Sequence, residues 1–143
     1  MNNKFMLQAL KISEQALPDC LPNPPVGCVI VRKGEIVSEG FTRKPGGHHA
    51  EADALSRFTG DLSECDVYVT LEPCSFTGRT PSCAKEMVKR MPKTVFVGML
   101  DTDPRNQGAG ICILENAGIN VEVGLLAESV SAWLTPYLIK SCD

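Results

Sequence analysis

TLEPCSFTGRTPSC, Thr70 to Cys83, is the stretch around which the chain is organised. It extends a run from Asp66 to Leu71 in which valines and a tyrosine alternate, the composition of a strand. It ends near Pro81, a residue suited to a first helical turn, where a helical pattern begins and runs to about Met91 before Pro92 stops it. The stretch is therefore read as a strand-to-helix connection. Its two thiols, Cys74 and Cys83, sit in turns bearing proline and glycine.

The rest of the chain repeats this alternation. Phe5, Ala9, Ile12 and Ala16 recur at helical spacing, so Asn2 to Leu17 reads as an amphipathic helix stopped by Pro18. Leu21-Pro22-Asn23-Pro24-Pro25 reads as an extended loop. Val26 to Val31 and Glu35 to Phe41, joined by Lys33-Gly34, form a hairpin; the first strand is apolar enough to be central and the second more suited to an edge. After a loop from Thr42 to His48, a helix begins near His49 and ends at Thr59-Gly60-Asp61. Beyond Pro92, Thr94 to Leu100 is a strand, Asp101 to Gly110 a loop, and Ile111 to Ala117 a short helix stopped by Gly118. Ile119 to Val123 is a last strand. The tail places Leu126, Val130, Trp133, Leu134, Tyr137 and Leu138 on one helical face, interrupted by Pro136. Strands alternating with helices after a hairpin predict a layered α/β domain on a mixed sheet. Its ligands are expected beyond the carboxyl ends of the strands.

The 143 residues suit one domain with one core, with no boundary, repeat or linker, so 1–143 is expected to be a single unit without a reductase domain. A net charge of −3 argues against a nucleic-acid partner, whose binding needs basic surface. There is no signal-peptide pattern at the start, and no apolar run of membrane-spanning length. With seven cysteines, an odd number, a cytoplasmic chain without a disulfide framework is expected. Cys28 and Cys112 lie in apolar runs and are expected in the core. Cys20, Cys65 and Cys142 lie in polar stretches and read as free thiols.

Cys74 and Cys83 combine with His49, which opens the preceding helix. Three such ligands suit a Zn2+ ion and leave its fourth position to water, the catalytic arrangement rather than the closed structural one. Glu51 lies two residues past His49, where it can face the same space without being a ligand. A His-x-Glu followed by Pro-Cys and a second Cys is the pattern of zinc deaminases acting on bases and nucleosides. Glu51 would take a proton from water, protonate a ring nitrogen and then protonate the departing amine. His48 reads as a solvated loop residue.

Three segments also resemble a known family. They are Asn23-Pro24-Pro25-Val26-Gly27, His49-Ala50-Glu51, and Thr70 to Ser75 with Gly78-Arg79-Thr80-Pro81-x-Cys83. Together they resemble the RibD-type deaminase domains of riboflavin biosynthesis, within the cytidine/deoxycytidylate deaminase-like superfamily, over nearly the whole chain to about Gly124. The resemblance implies a three-layer α/β/α cytidine deaminase-like fold with a mixed five-stranded sheet and one Zn2+ per chain. It also implies deamination of diaminohydroxyphosphoribosylaminopyrimidine, a small phosphorylated amino-pyrimidine. By the same resemblance Asn23 lies at the base pocket and Arg79 meets the ribose phosphate. Thr42, Ser75, Phe76, Asp101 and Asp103 are expected to border the substrate. A homo-oligomer and a separate reductase partner are further implications. The chain departs from the family at three places. Thr42 and Phe76 stand where the family usually has His, and Asp101-Thr102-Asp103-Pro104 where it usually reads Asp-Pro-Asn-Pro. Phe76 offers a stacking face instead of a hydrogen bond, and Asp103 would repel a phosphate that Asn would accept.

Two other readings stand beside this one. A deaminase of another base or nucleoside would keep the chemistry and change the pocket. A non-catalytic zinc scaffold would leave Glu51 without a task. Long basic stripes and stacking aromatics, expected of an RNA enzyme, are missing from a chain with 6% aromatic residues.

Overall fold

The computed structural model describes residues 2–78 and 80–138. Helix α1 (Asn2–Ser13) tightens into a 3-10 turn at Glu14–Ala16 before the proline-rich loop. Strands β1 (Gly27–Arg32) and β2 (Glu35–Phe41) form the expected hairpin. Its two turn residues, Lys33 and Gly34, have φ of 51° and 79°. Two left-handed residues in succession match the right-handed twist of the strands they join. Strands β3 (Cys65–Leu71), β4 (Thr94–Met99) and β5 (Asn120–Val123) complete a five-stranded sheet in the order β2-β1-β3-β4-β5. The β2-β1-β3 pairs are antiparallel and the β3-β4-β5 pairs parallel, so the sheet is mixed as expected.

Helices cover both faces. Helix α1 lies against the sheet so closely that a Cβ on Gly27 would meet the Ala9 carbonyl oxygen at 1.9 Å. Tyr68 of β3 stacks on Phe96 of β4 at 4.6 Å and takes Phe5 of α1 at 5.3 Å, centring that half of the core. Helix α5 (Ala127–Leu134) closes the same face, with Val130 against Gly98 of β4. The other face carries α2 (Ala50–Ser56) and α3 (Cys83–Arg90), with α4 (Ala109–Asn116) packed beside α3. Helix α2 approaches β2 through Gly40 and is tied there by the Ser38 hydroxyl, which donates to the Ala54 carbonyl at 2.7 Å.

Several local expectations are corrected. Helix α3 begins at Cys83, with Ser82 as its N-cap: the Ser82 hydroxyl accepts from the Lys85 amide at 3.2 Å. Pro81 therefore precedes the cap, because a serine that satisfies an orphan amide makes the better boundary. Cys112 is exposed on α4, whereas Cys20 and Cys65 are buried. An apolar run on a surface helix still turns one side outward; Cys20 lies in a turn, Cys65 opens β3, and both are free thiols as expected. Arg43, in the loop after β2, places its Nη2 2.9 Å from the buried Asp53 carboxylate. The tail helix ends at Leu134 and continues as a 3-10 turn, Thr135–Tyr137, around Pro136. Cys142 lies outside the described residues.

Glu72, at the end of β3, joins the sheet to the loop after β4. Its buried carboxylate accepts from the amides of Asp101 (3.0 Å), Gly108 (2.8 Å), Gly110 (2.9 Å) and Ile111 (3.3 Å). It thus fills the amino terminus of α4, where backbone donors lack partners and the helix dipole favours an anion. Asn106 adds a second tie, donating to the Pro73 carbonyl at 3.2 Å and accepting from the Ser75 amide at 3.1 Å.

Two predictions follow from this packing. In Gly40→Ala the new Cβ would meet the Ala54 amide nitrogen at 2.4 Å and the Ala50 carbonyl oxygen at 2.5 Å. A stability loss of roughly 1–3 kcal/mol is expected in urea unfolding. Glu72→Ala leaves several buried amides unpaired, and about 3 kcal/mol or more should be lost, since each bond to a charged group contributes about 1.5–3 kcal/mol. Hydrogen exchange at Gly108, Gly110 and Ile111 should accelerate selectively.

Candidate active site

Three side chains from separate elements meet beyond the carboxyl end of β3. His49 is the N-cap residue of α2, Cys83 opens α3, and Cys74 lies in the connection between β3 and α3. Their ligand atoms all lie within 4.8 Å of one another. His49 Nδ1 is 3.5 Å from Cys83 Sγ and 3.8 Å from Cys74 Sγ. Tetrahedral zinc with sulfur at about 2.3 Å and nitrogen at about 2.0 Å requires nitrogen-to-sulfur edges of about 3.5 Å. The three groups fit that ion in type and in spacing. The other imidazole nitrogen, Nε2, faces the Thr80 hydroxyl at 3.4 Å. With Nδ1 as the ligand atom, Nε2 carries the proton and donates to Thr80, which sets the ring's orientation.

The local backbone builds this cluster. Ala84 N donates to the Cys74 carbonyl at 3.0 Å, and the Ser82 hydroxyl donates to the same carbonyl at 2.8 Å. The Cys83 amide donates to Cys74 Sγ at 3.2 Å. Contact with the Cys83 thiol and with His49 brings Cys74 down to about 4. Contact with the Cys74 thiolate, together with burial, pushes Cys83 well up. Cys74 is thereby the more acidic of the two thiols, and a bound cation would favour both as thiolates. Contact with Cys74 also raises His49.

Glu51 is 4% exposed and lines the same cavity without joining the cluster. Burial pushes its carboxyl up to about 7, and the neighbouring Cys74 thiolate adds to the rise while His49 opposes it. A carboxyl poised near neutrality both takes and returns a proton with little driving force lost.

The cavity has a volume of ≈ 440 Å³ and runs from these groups to an open mouth. Of the residues expected at the substrate, Asn23, Thr42, Phe76, Asp101 and Asp103 line it. Thr42 is buried and its hydroxyl accepts from the Val26 amide at 3.0 Å, so it also braces the loop that carries Asn23. Ser75 is not among the lining residues; its amide and hydroxyl are turned to Asn106 and Arg105 of the loop after β4. Arg79 lies outside the described residues. His48 is exposed.

Sequence reasoning missed Thr80, Glu72, Asn106, Arg105 and Leu138. The first two stand in the quoted stretch, but nothing in a linear sequence says which backbone groups a side chain will face. Arg105 was read only as part of a loop. It meets Asp103 through Nη2 at 2.5 Å and through Nε at 3.1 Å, and it lies 4.5 Å over the Phe76 ring. The expected repulsion by Asp103 is corrected accordingly: the Arg105 guanidinium beside it lowers its pKa and balances its charge.

Comparison with known proteins agrees with this geometry. The family described as "Cytidine and deoxycytidylate deaminase zinc-binding region" matches residues 1–99, which include the histidine, both cysteines and Glu51. The riboflavin biosynthesis protein RibD of Chlamydia pneumoniae is 44% identical over 136 residues, covering 95% of this chain and 36% of that protein. The chain thus spans about a third of that relative's length. The diaminohydroxyphosphoribosylamino-pyrimidine deaminase of Buchnera aphidicola is 38% identical over 124 residues, covering 87% of this chain and 84% of that protein. A crystal structure from Thermotoga maritima, named as a diaminohydroxyphosphoribosylaminopyrimidine deaminase and 5-amino-6-(5-phosphoribosylamino)uracil reductase, superposes with a TM-score of 0.88. It is 37% identical and covers 94% of this chain and 39% of that chain. The family model covers residues 1–99, more than half of the chain, and on that ground the chain belongs to the cytidine and deoxycytidylate deaminase family with its zinc-binding region.

Proposed function

We propose that this chain binds one Zn2+ through His49, Cys74 and Cys83 and hydrolytically deaminates diaminohydroxyphosphoribosylaminopyrimidine, the compound in the name of the Buchnera relative. The observation that carries the reading is a cavity lined by His49, Cys74 and a buried carboxyl, Glu51, with Cys83 completing a three-atom metal-competent cluster beside it. Zinc bound there would lower the pKa of water and supply a nucleophile near neutral pH. Glu51 accepts one proton from water and delivers it to a ring nitrogen; it then takes the second proton from the hydroxyl added to the ring carbon and passes it to the amine. Oxygen replaces nitrogen on the ring carbon and ammonia departs, so one water is consumed and no redox change occurs. Asn23, at the cavity wall, presents an amide that both donates to and accepts from a pyrimidine edge. His49 keeps its ligand nitrogen turned inward through the Thr80 contact.

The rest of the reading follows the relatives. A phosphoribosyl group directs attention to cations at the mouth, and Arg79 is assigned to it by family resemblance. A reductase working alongside is supported by the Thermotoga protein, whose name joins both activities. A homo-oligomer is part of the same proposal. A reducing cytoplasm suits a site that needs both cysteines as thiols, and the described cysteines are all free. No helix among the described residues is long and apolar enough to cross a membrane.

Glu51→Gln should keep the fold and bind zinc at one equivalent, while ammonia release falls by roughly 100-fold or more. Zinc content by atomic absorption and an ammonia assay on the same sample test this. Retained activity would remove Glu51 from the mechanism. On a panel of the phosphorylated diaminopyrimidine, its dephosphorylated form, cytosine, guanine, cytidine and adenosine, the first should give the highest kcat/KM. Activity confined to free bases would overturn the substrate assignment.

A further inference from the structure

The cavity lining includes two chemically different groups of residues: His49, Cys74 and Glu51, and an exposed guanidinium, Arg105, with its two supports, Asp103 and Phe76. We propose that Arg105 is a specificity-determining residue that receives the phosphate of the substrate, and that Asp103 and Phe76 are positioning residues that hold its guanidinium at the cavity mouth. This rests on the phosphorylated-substrate reading above and adds to it a cation visible in the structure.

Glu51, Glu72 and Asp101 line the cavity beside the Asp103–Arg105 ion pair, so a phosphate entering it meets carboxyl groups and one cation. Arg105 is the only lysine or arginine among the described residues that line it. Its side chain is 64% exposed in the ion pair, so it faces solvent at the opening rather than the interior.

The guanidinium is held on two sides. Asp103 accepts from Nε at 3.1 Å and from Nη2 at 2.5 Å, which occupies one edge of the planar group. Phe76 lies under its face, with the ring centroid 4.5 Å from Cζ. Nη1 has no hydrogen-bond partner among the described residues. An arginine held at one edge and one face keeps a free edge in a fixed direction, and a guanidinium edge matches phosphate geometry. Most of the rotamer entropy that an exposed arginine would lose on binding is already lost.

The supports are themselves fixed. Asp103 is 5% exposed and accepts from the Arg105 amide at 3.0 Å, while its own amide donates to Asp101 at 3.0 Å. Asn106 and Glu72 tie the same loop to the β3–α3 connection that carries Phe76 and Cys74. The position of Arg105 relative to the metal cluster is therefore set by bonded contacts across the cavity. Asp103 cancels much of the long-range attraction, so selectivity comes from directed donors rather than from net charge.

The test compares kcat/KM for the phosphorylated diaminopyrimidine with that for its dephosphorylated form, in zinc-loaded wild type, Arg105→Ala and Arg105→Lys. The ratio should fall about tenfold or more in Arg105→Ala, with the loss in KM rather than kcat. Arg105→Lys should recover only part of it. Phe76→Leu should lower the ratio in the wild-type background and not in Arg105→Ala. Calorimetry with ribose 5-phosphate gives a second readout, with binding weakened about tenfold or more by Arg105→Ala. An unchanged ratio with ammonia still released overturns the Arg105 assignment alone. Absence of ammonia release, with Arg105-dependent binding of ribose 5-phosphate, overturns the substrate reading and leaves the arginine in place. Equal losses on both substrates would make Arg105 structural, and should Arg105→Ala fail to fold, Arg105→Gln carries the same comparison.

Discussion

The site depends on one geometric constraint: the starts of two helices must reach the same point. His49 caps α2 and Cys83 opens α3, and their ligand atoms lie 3.5 Å apart although α2 and α3 are separated by a whole strand. Only the sheet brings them together. Both helices lie on one face, and each leaves its strand at the same end. Cys74 completes the cluster because the chain must pass that point on its way from β3 to α3. Small residues make the approach close enough, most visibly Gly40, which lets α2 settle directly onto β2. A ligand set assembled from element ends is rigid without being covalently linked, since each side chain inherits its position from a packed element.

A second constraint fixes the opposite wall. Glu72 is a buried carboxylate whose compensation is wholly backbone, with donors from the loop after β4 and from the start of α4. A charge buried in this way is tolerated only while its donors stay in place. The loop that carries Asp101, Asp103 and Arg105 is thereby held against the connection that carries Cys74 and Phe76. The His-Cys-Cys cluster and the residues at the mouth come from segments distant in sequence, yet they share this anchor.

The electrostatics separate the cavity into working regions. Near the metal cluster, burial raises Glu51 to about 7, which suits a group that must take and return protons. At the mouth, Asp103 and Arg105 compensate each other and leave one edge of the guanidinium for a ligand. Phe76 and Asp103, which stand in different loops, both touch Arg105. The two are thus linked in space, which the linear sequence does not reveal.

Much of this was legible in the residues alone. The hydrophobic periods, the Lys33-Gly34 turn and the prolines located all five strands and the order of helices, because these signals act over a few neighbouring residues. His49, Glu51, Cys74 and Cys83 were identifiable because their chemistry is rare and their order informative. Other features were decided only by tertiary packing: which amides Glu72 would accept from, that Thr80 would meet His49, that Cys112 would face outward, and that Arg105 would be clamped over Phe76. Local preference depends on a few adjacent side chains, whereas each of these contacts joins residues whose proximity exists only once the sheet has formed and closed the distance between them.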